Sequence, residues 1–195
     1  MRIFLLILIL LFNFQSWSKA DSISDFEIEG MSVGDSLLDF YGISEIKEAE
    51  NNPTYYPKSK KFKVIYFFSK KKELFDYVNI TLEDNDKKYI IYSIRGEKEI
   101  NFDKCFKMKN EQTDGIESIL SRIDKDEYTS YYGANYGNTE AHVTEYKLND
   151  GANIRIFCAK YDQNNELVRD SGWKDGLEIG LSSKSFVNFL TNEAY

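Results

Sequence analysis

The sequence predicts an α+β domain built on antiparallel sheet. Two patterns carry this: runs of period-two alternation come in groups joined by short turns, and stretches with three-four apolar spacing stand before, between and after those groups. In a chain of 195 residues, 42% hydrophobic and 15% aromatic content supplies a sizeable core. Strands that follow one another through turns this short cannot be joined by parallel crossovers, so a wound parallel fold is excluded.

Taken in order, residues 1–20 come first. Arg2 gives a positive start, residues 3–12 are continuously apolar, and Ser18-Lys19-Ala20 offers a small-x-small cleavage pattern. That reads as a secretory signal peptide. Its apolar run is shorter than the roughly 20 residues a spanning helix needs, so no transmembrane span is expected after cleavage, a retained anchor being the alternative. The remainder, 21–195, reads as one α+β domain or as two packed halves, 21–100 and 101–195.

Short N-terminal helices follow. Ser32 stands three residues before Asp35 in a capping pair, so a helix is expected from Val33 with Leu37, Phe40 and Tyr41 on its face. Gly42 ends it, and Ser44 caps a second helix through Glu50. Residues 51–57 hold both prolines and read as a loop. Strands are then expected at 63–69, 77–82 and 89–95, with the apolar-free segment 83–88 as a hairpin turn. Asn101 caps a central helix with apolar positions Phe102, Cys105, Phe106, Ile116, Ile119, Leu120 and Ile123, where Gly115 is a potential break. Residues 127–138 read as a Tyr- and Gly-rich loop. Asn149-Asp150-Gly151 joins strands at 142–147 and 152–161, since Asp-Gly between alternating runs favours a tight hairpin. A strand at 177–181 follows, and Ser182 or Ser183 caps a C-terminal helix carrying Phe186, Val187, Phe189 and Leu190.

The opening Ile28-Glu29-Gly30-Met31-Ser32, followed by helical segments and a three-stranded meander, resembles the small outer-membrane assembly lipoprotein domain (SmpA/OmlA-like) over residues 26–96. The lipidated Cys of that family has no counterpart here. The opening Phe26-Glu27-Ile28-Glu29-Gly30-Met31-Ser32 and the ending Asn192-Glu193-Ala194-Tyr195 are similar to exported proteins of marine alphaproteobacteria. That resemblance implies an envelope location and no particular activity.

Charge and motifs narrow the function. The chain carries −7 at pH 7, and removing Arg2 and Lys19 with the leader makes it −9, which disfavours nucleic acid as a partner. His142 is the only histidine, and no nucleophile elbow or paired-His spacing accompanies it, so no catalytic residue is assigned. The acidic groups Asp84-Asn85-Asp86 and Asp162, Asn164 and Glu166 lack the glycine and ligand set of a calcium loop and read as turns; no metal or cofactor is assigned. Asp124, Asp126 and Glu127 read as a solvated helix end.

Two patches point to binding. Lys58, Lys60, Lys61, Lys63, Lys70, Lys71 and Lys72 bracket the first long strand, and suit either an anionic ligand surface or protection of a strand edge. Tyr131, Tyr132 and Tyr136 lie in one loop able to present rings to a sugar or peptide. Cys105 and Cys158, each on an apolar face of an exported chain, are expected to pair. The resulting expectation is an exported, non-enzymatic binding protein, periplasmic or secreted, whose partner is an envelope protein, an anionic lipid or a glycan. A carboxylate-dependent glycan hydrolase and a protein inhibitor are the alternatives.

Overall fold

The computed structural model describes residues 22–72, 74–120 and 124–195. The proposed leader at 1–20 and Ile123 lie outside them. The strands are β1 (Thr54–Tyr56), β2 (Ser59–Phe68), β3 (Tyr77–Glu83), β4 (Ile91–Glu99), β5 (Asp124–Tyr131), β6 (Glu140–Lys147), β7 (Asn153–Lys160) and β8 (Gly176–Ser182). All pair antiparallel in one sheet of order β1-β2-β3-β4-β8-β7-β6-β5. The last strand of each half thus lies at the centre, β8 pairing with β4 on one side and β7 on the other. The helices are α1 (Ile43–Ala49), α2 (Phe102–Ile119), α3 (Glu166–Asp170) and α4 (Lys184–Asn192).

Alternation along the strands gives the sheet two unlike faces. On one, Ile65, Ile80, Ile94, Leu181, Ile154 and Tyr146 form a cross-strand row from β2 to β6, each at most 2% exposed. The N-terminal segment and α2 cover this face and enclose the main core, with Leu37, Ile46 and Cys105 fully buried. The expected Cys105–Cys158 disulfide is present, with a Cα separation of 5.8 Å, and ties α2 to β7.

Several elements differ from expectation, each for a local reason. No helix starts at Val33; a single 3-10 turn, Leu37–Asp39, stands there. The Asp35 carboxylate does accept from the Ser32 N–H, but the Gly34 N–H donates to the Ile91 carbonyl and the Leu37 N–H to that of Tyr89, so the turn is tied to the approach of β4. Gly42 itself precedes α1, its N–H bonded to Glu45, and Ser44 falls inside the helix. Gly115 does not break α2, because it faces open space, with nothing within 4 Å of where a Cβ would stand, and an exposed helical glycine costs only about 1 kcal/mol. Residues 127–131 are not loop but the end of β5, and Asp124, Asp126 and Glu127 belong to this edge strand and not to a helix end. Exposed along most of its length, β5 has no apolar face to alternate. The short α3 has no counterpart among the expected elements.

Candidate functional site

The second face of the sheet is polar across its middle. Its central row runs Tyr66, Asn79, Arg95, Gly180, Arg155, Glu145 and Asp126, and the next row Phe68, Tyr77, Glu97, Glu178, Phe157, Val143 and Tyr128. Among the described residues, coverage is confined to its two ends. At one, Ser183 caps α4 and lets Phe186 and Phe189 pack edge-on against Phe62, with Tyr56 against Phe189 at 5.2 Å between ring centres. At the other, Trp173 lies 5.6 Å from Tyr136 and 5.4 Å from Tyr161, and Tyr161 lies 5.8 Å from Tyr132. Between α4 and this aromatic wall is an open cavity of about 430 Å³, lined by Arg95, Arg155, Glu145, Asn153, Tyr128 and Tyr132 among others.

Arg95, which lines the cavity, ties it to a network of charges beside it on the sheet. Arg95 Nη1 is 2.9 Å from Glu178 and 3.9 Å from Glu97, and the Asn79 amide donates to Glu97. Burial alone would lower Arg95, but Glu178 and Glu97 hold it charged. Glu97 is pushed up to about 7, first by burial and then by the charge of Glu178, which together outweigh Arg95. Further along, Glu145 accepts from Asn153 Nδ2 at 2.6 Å and from Tyr128 at 3.3 Å, while Arg155 Nη2 donates to the Tyr128 hydroxyl at 3.2 Å. Three buried polar atoms of this face, Asn79 Oδ1, Asn153 Oδ1 and Arg155 Nε, have no hydrogen-bond partner among the described residues.

The structure sorts the residues singled out by sequence. Tyr132 and Tyr136 join the aromatic wall; Tyr131, 72% exposed, stands apart from it. Tyr161 and Trp173 complete the wall from distant segments. Arg95, Arg155, Glu97 and Glu178 escape the sequence reading, although arginines alternating with core-facing isoleucines are visible in Ser93-Ile94-Arg95 and Ile154-Arg155-Ile156.

The lysines divide into two groups along β2, a ten-residue strand about 30 Å long: Lys58, Lys60, Lys61 and Lys63 just before and within its first half, and Lys70, Lys71 and Lys72 beyond its end. Lys63 is corrected: it is 8% exposed and bridges Glu50 at 2.7 Å and Asp84 at 3.3 Å. Lys58, Lys60, Lys61, Lys70, Lys71 and Lys72 are exposed. Of these, Lys61 pairs with Glu193 at 3.3 Å, Lys60 lies over the Tyr55 ring, and Lys70 lies 3.9 Å over the Tyr41 ring while donating to the Phe40 carbonyl. His142 packs between Phe102 and Phe106, away from the polar face. Asp86 and Asp162 each accept from two backbone N–H groups and staple their turns. Asn79, whose amide donates to Glu97, is buried.

No protein-family model, no curated protein and no solved structure matches this chain.

Proposed function

We propose that this is an exported, non-enzymatic binding protein of the cell envelope whose partner, a protein, docks on the polar face of the sheet between α4 and the aromatic wall. One observation carries the reading: the uncovered face is floored and walled by Tyr, Trp and Arg, the residue types that dominate binding hot spots, while the opposite face is closed by helix and disulfide. A rigid, twisted sheet with two raised rims also suits a protein inhibitor, which is the same mode of binding with an enzyme as partner. Export rests on the leader-like residues 1–20, and the disulfide supports an oxidising compartment.

Site-specific photocrosslinking in envelope extract tests this. A crosslinker at Tyr132 or Trp173 should trap one discrete protein, and the adduct should be lost on Trp173→Ala with Tyr132→Ala. Trapping at Lys72 but not at the wall would sink the reading, and cosedimentation with anionic vesicles through Lys58, Lys71 and Lys72 would replace it with a lipid surface.

A second reading, hydrolysis of a glycan, has one observation in its favour. Glu97 and Glu178 are directly paired across β4 and β8 and both reach the same Arg95 nitrogen, so a carboxyl whose proton affinity is raised by burial, Glu97, stands beside a second carboxyl on one face. Release of reducing ends from envelope polysaccharide, abolished by Glu97→Gln, would favour it over docking.

A further inference from the structure

Arg95, Gly180 and Arg155 stand side by side on β4, β8 and β7 in one cross-strand row. With neighbouring strands about 4.8 Å apart, the two arginine Cα atoms are about 10 Å apart, and nothing but hydrogen projects from the residue between them. A Cβ on Gly180 would meet only Arg95 Cγ, at 3.9 Å, so the space over the glycine is a bay between two guanidinium stems. It opens into the cavity.

The charges around this bay are unevenly satisfied. Arg95 is held by Glu178 and Glu97. Glu145, opposite Arg155 on β6, is occupied by Asn153 and Tyr128. Among the described residues no carboxylate forms an ion pair with Arg155; its Nη2 has only the Tyr128 hydroxyl, and its Nε has no acceptor. Two residues away on the same face, Asn153 Oδ1 has no donor. Both atoms are already buried and unpaired in the free protein, a cost that a partner supplying an acceptor for the guanidinium and a donor for the amide would relieve.

We infer that the bay over Gly180 is a seat for a carboxylate, presented as an Asp or Glu side chain by the protein partner, an inference that rests on the docking reading above. A carboxylate matches the guanidinium fork of Arg155 in plane and charge, and the backbone N–H of the segment carrying it supplies the donor Asn153 lacks. Glu178 and Glu145 flank the bay, so a dianion such as phosphate meets more repulsion there than a single carboxylate does.

The probe is N-acetyl-aspartate N-methylamide, titrated into the purified protein while the Arg155 Nε–Hε and Gly180 amide resonances are followed. Both should shift and saturate, with binding about tenfold weaker for the asparagine analogue. Arg155→Gln should abolish saturation. So should Gly180→Val, which keeps both arginines and fills the bay; near-UV circular dichroism identifies which variants keep the native fold, and if Gly180→Val does not, Arg155→Gln decides. Equal response to the asparagine analogue, persistence in the folded variants, or tighter binding of inorganic phosphate would each overturn the seat. A partner trapped at Trp173 with undiminished affinity for Arg155→Gln removes the seat and leaves docking intact. Saturable aspartate binding in a protein whose wall traps no partner does the reverse.

Discussion

Gly96, in the middle of β4, lies directly under the ring of Phe75: a Cβ on the glycine would stand 2.5 Å from the ring carbons. Phe75 is 4% exposed and belongs to the main core, so the contact explains why a residue that weakens strands occupies a near-central one. Gly96→Ala should destabilise the fold by about 1–3 kcal/mol through overpacking. The effect should shrink in a Phe75→Leu background, where the aromatic ring is gone. Urea midpoints at constant m-value measure both.

The disulfide joins positions 53 residues apart. In the chain-entropy model a loop of that size is worth roughly 4 kcal/mol. Cys105→Ser with Cys158→Ala should therefore lower the thermal midpoint strongly while leaving the far-ultraviolet spectrum native at low temperature. A loss under about 1 kcal/mol would mean that the unfolded chain is constrained little differently without the bond.

Glu97 makes stability fall as pH rises. Its folded value of about 7 exceeds the ordinary 4.5, so between those values the native state binds more protons than the unfolded one. The contribution is fully present below pH 4.5 and is lost as pH passes 7. Glu97→Gln, which keeps an acceptor for Asn79, should flatten the curve of unfolding free energy against pH over this window; an unchanged slope would show that another group causes it.

Lys63 is the cation of a largely buried cluster. Burial alone would raise Glu50, yet hydrogen bonds from Lys47 and Lys63 win and lower it. Lys63→Met should cost about 3 kcal/mol, because Asp84 and part of Glu50 lose their counter-charge inside the fold. Lys72→Met, at an exposed position, should change the unfolding midpoint negligibly.

Much of the scaffold was legible because its signals are local. Strands β2, β3, β6, β7 and β8 alternate or run apolar over their lengths, Asp150-Gly151 marks a hairpin, and Asn101 and Ser183 stand before apolar-periodic helices they do cap. Cys105 and Cys158 announced their pairing because each shares a face with core residues, and two buried faces have to meet. What failed to show was edge or tied structure. An exposed strand such as β5 has no apolar period, and the Val33 segment has helical spacing but gives its backbone bonds to β4.

The candidate site divides along the same line. The sequence by itself determined the antiparallel α+β class, most strand faces, the caps of the central and C-terminal helices, and the chemistry available: tyrosines in a loop, arginines at alternating strand positions, two cysteines. Only the tertiary structure decided that β8 lies between β4 and β7. That single placement sets Gly180 between Arg95 and Arg155 and Glu178 beside Glu97, and brings Trp173 and Tyr161 to Tyr132 and Tyr136. Strand order is chosen by burial of whole apolar faces against each other, a sum over the sheet that no local window of residues contains.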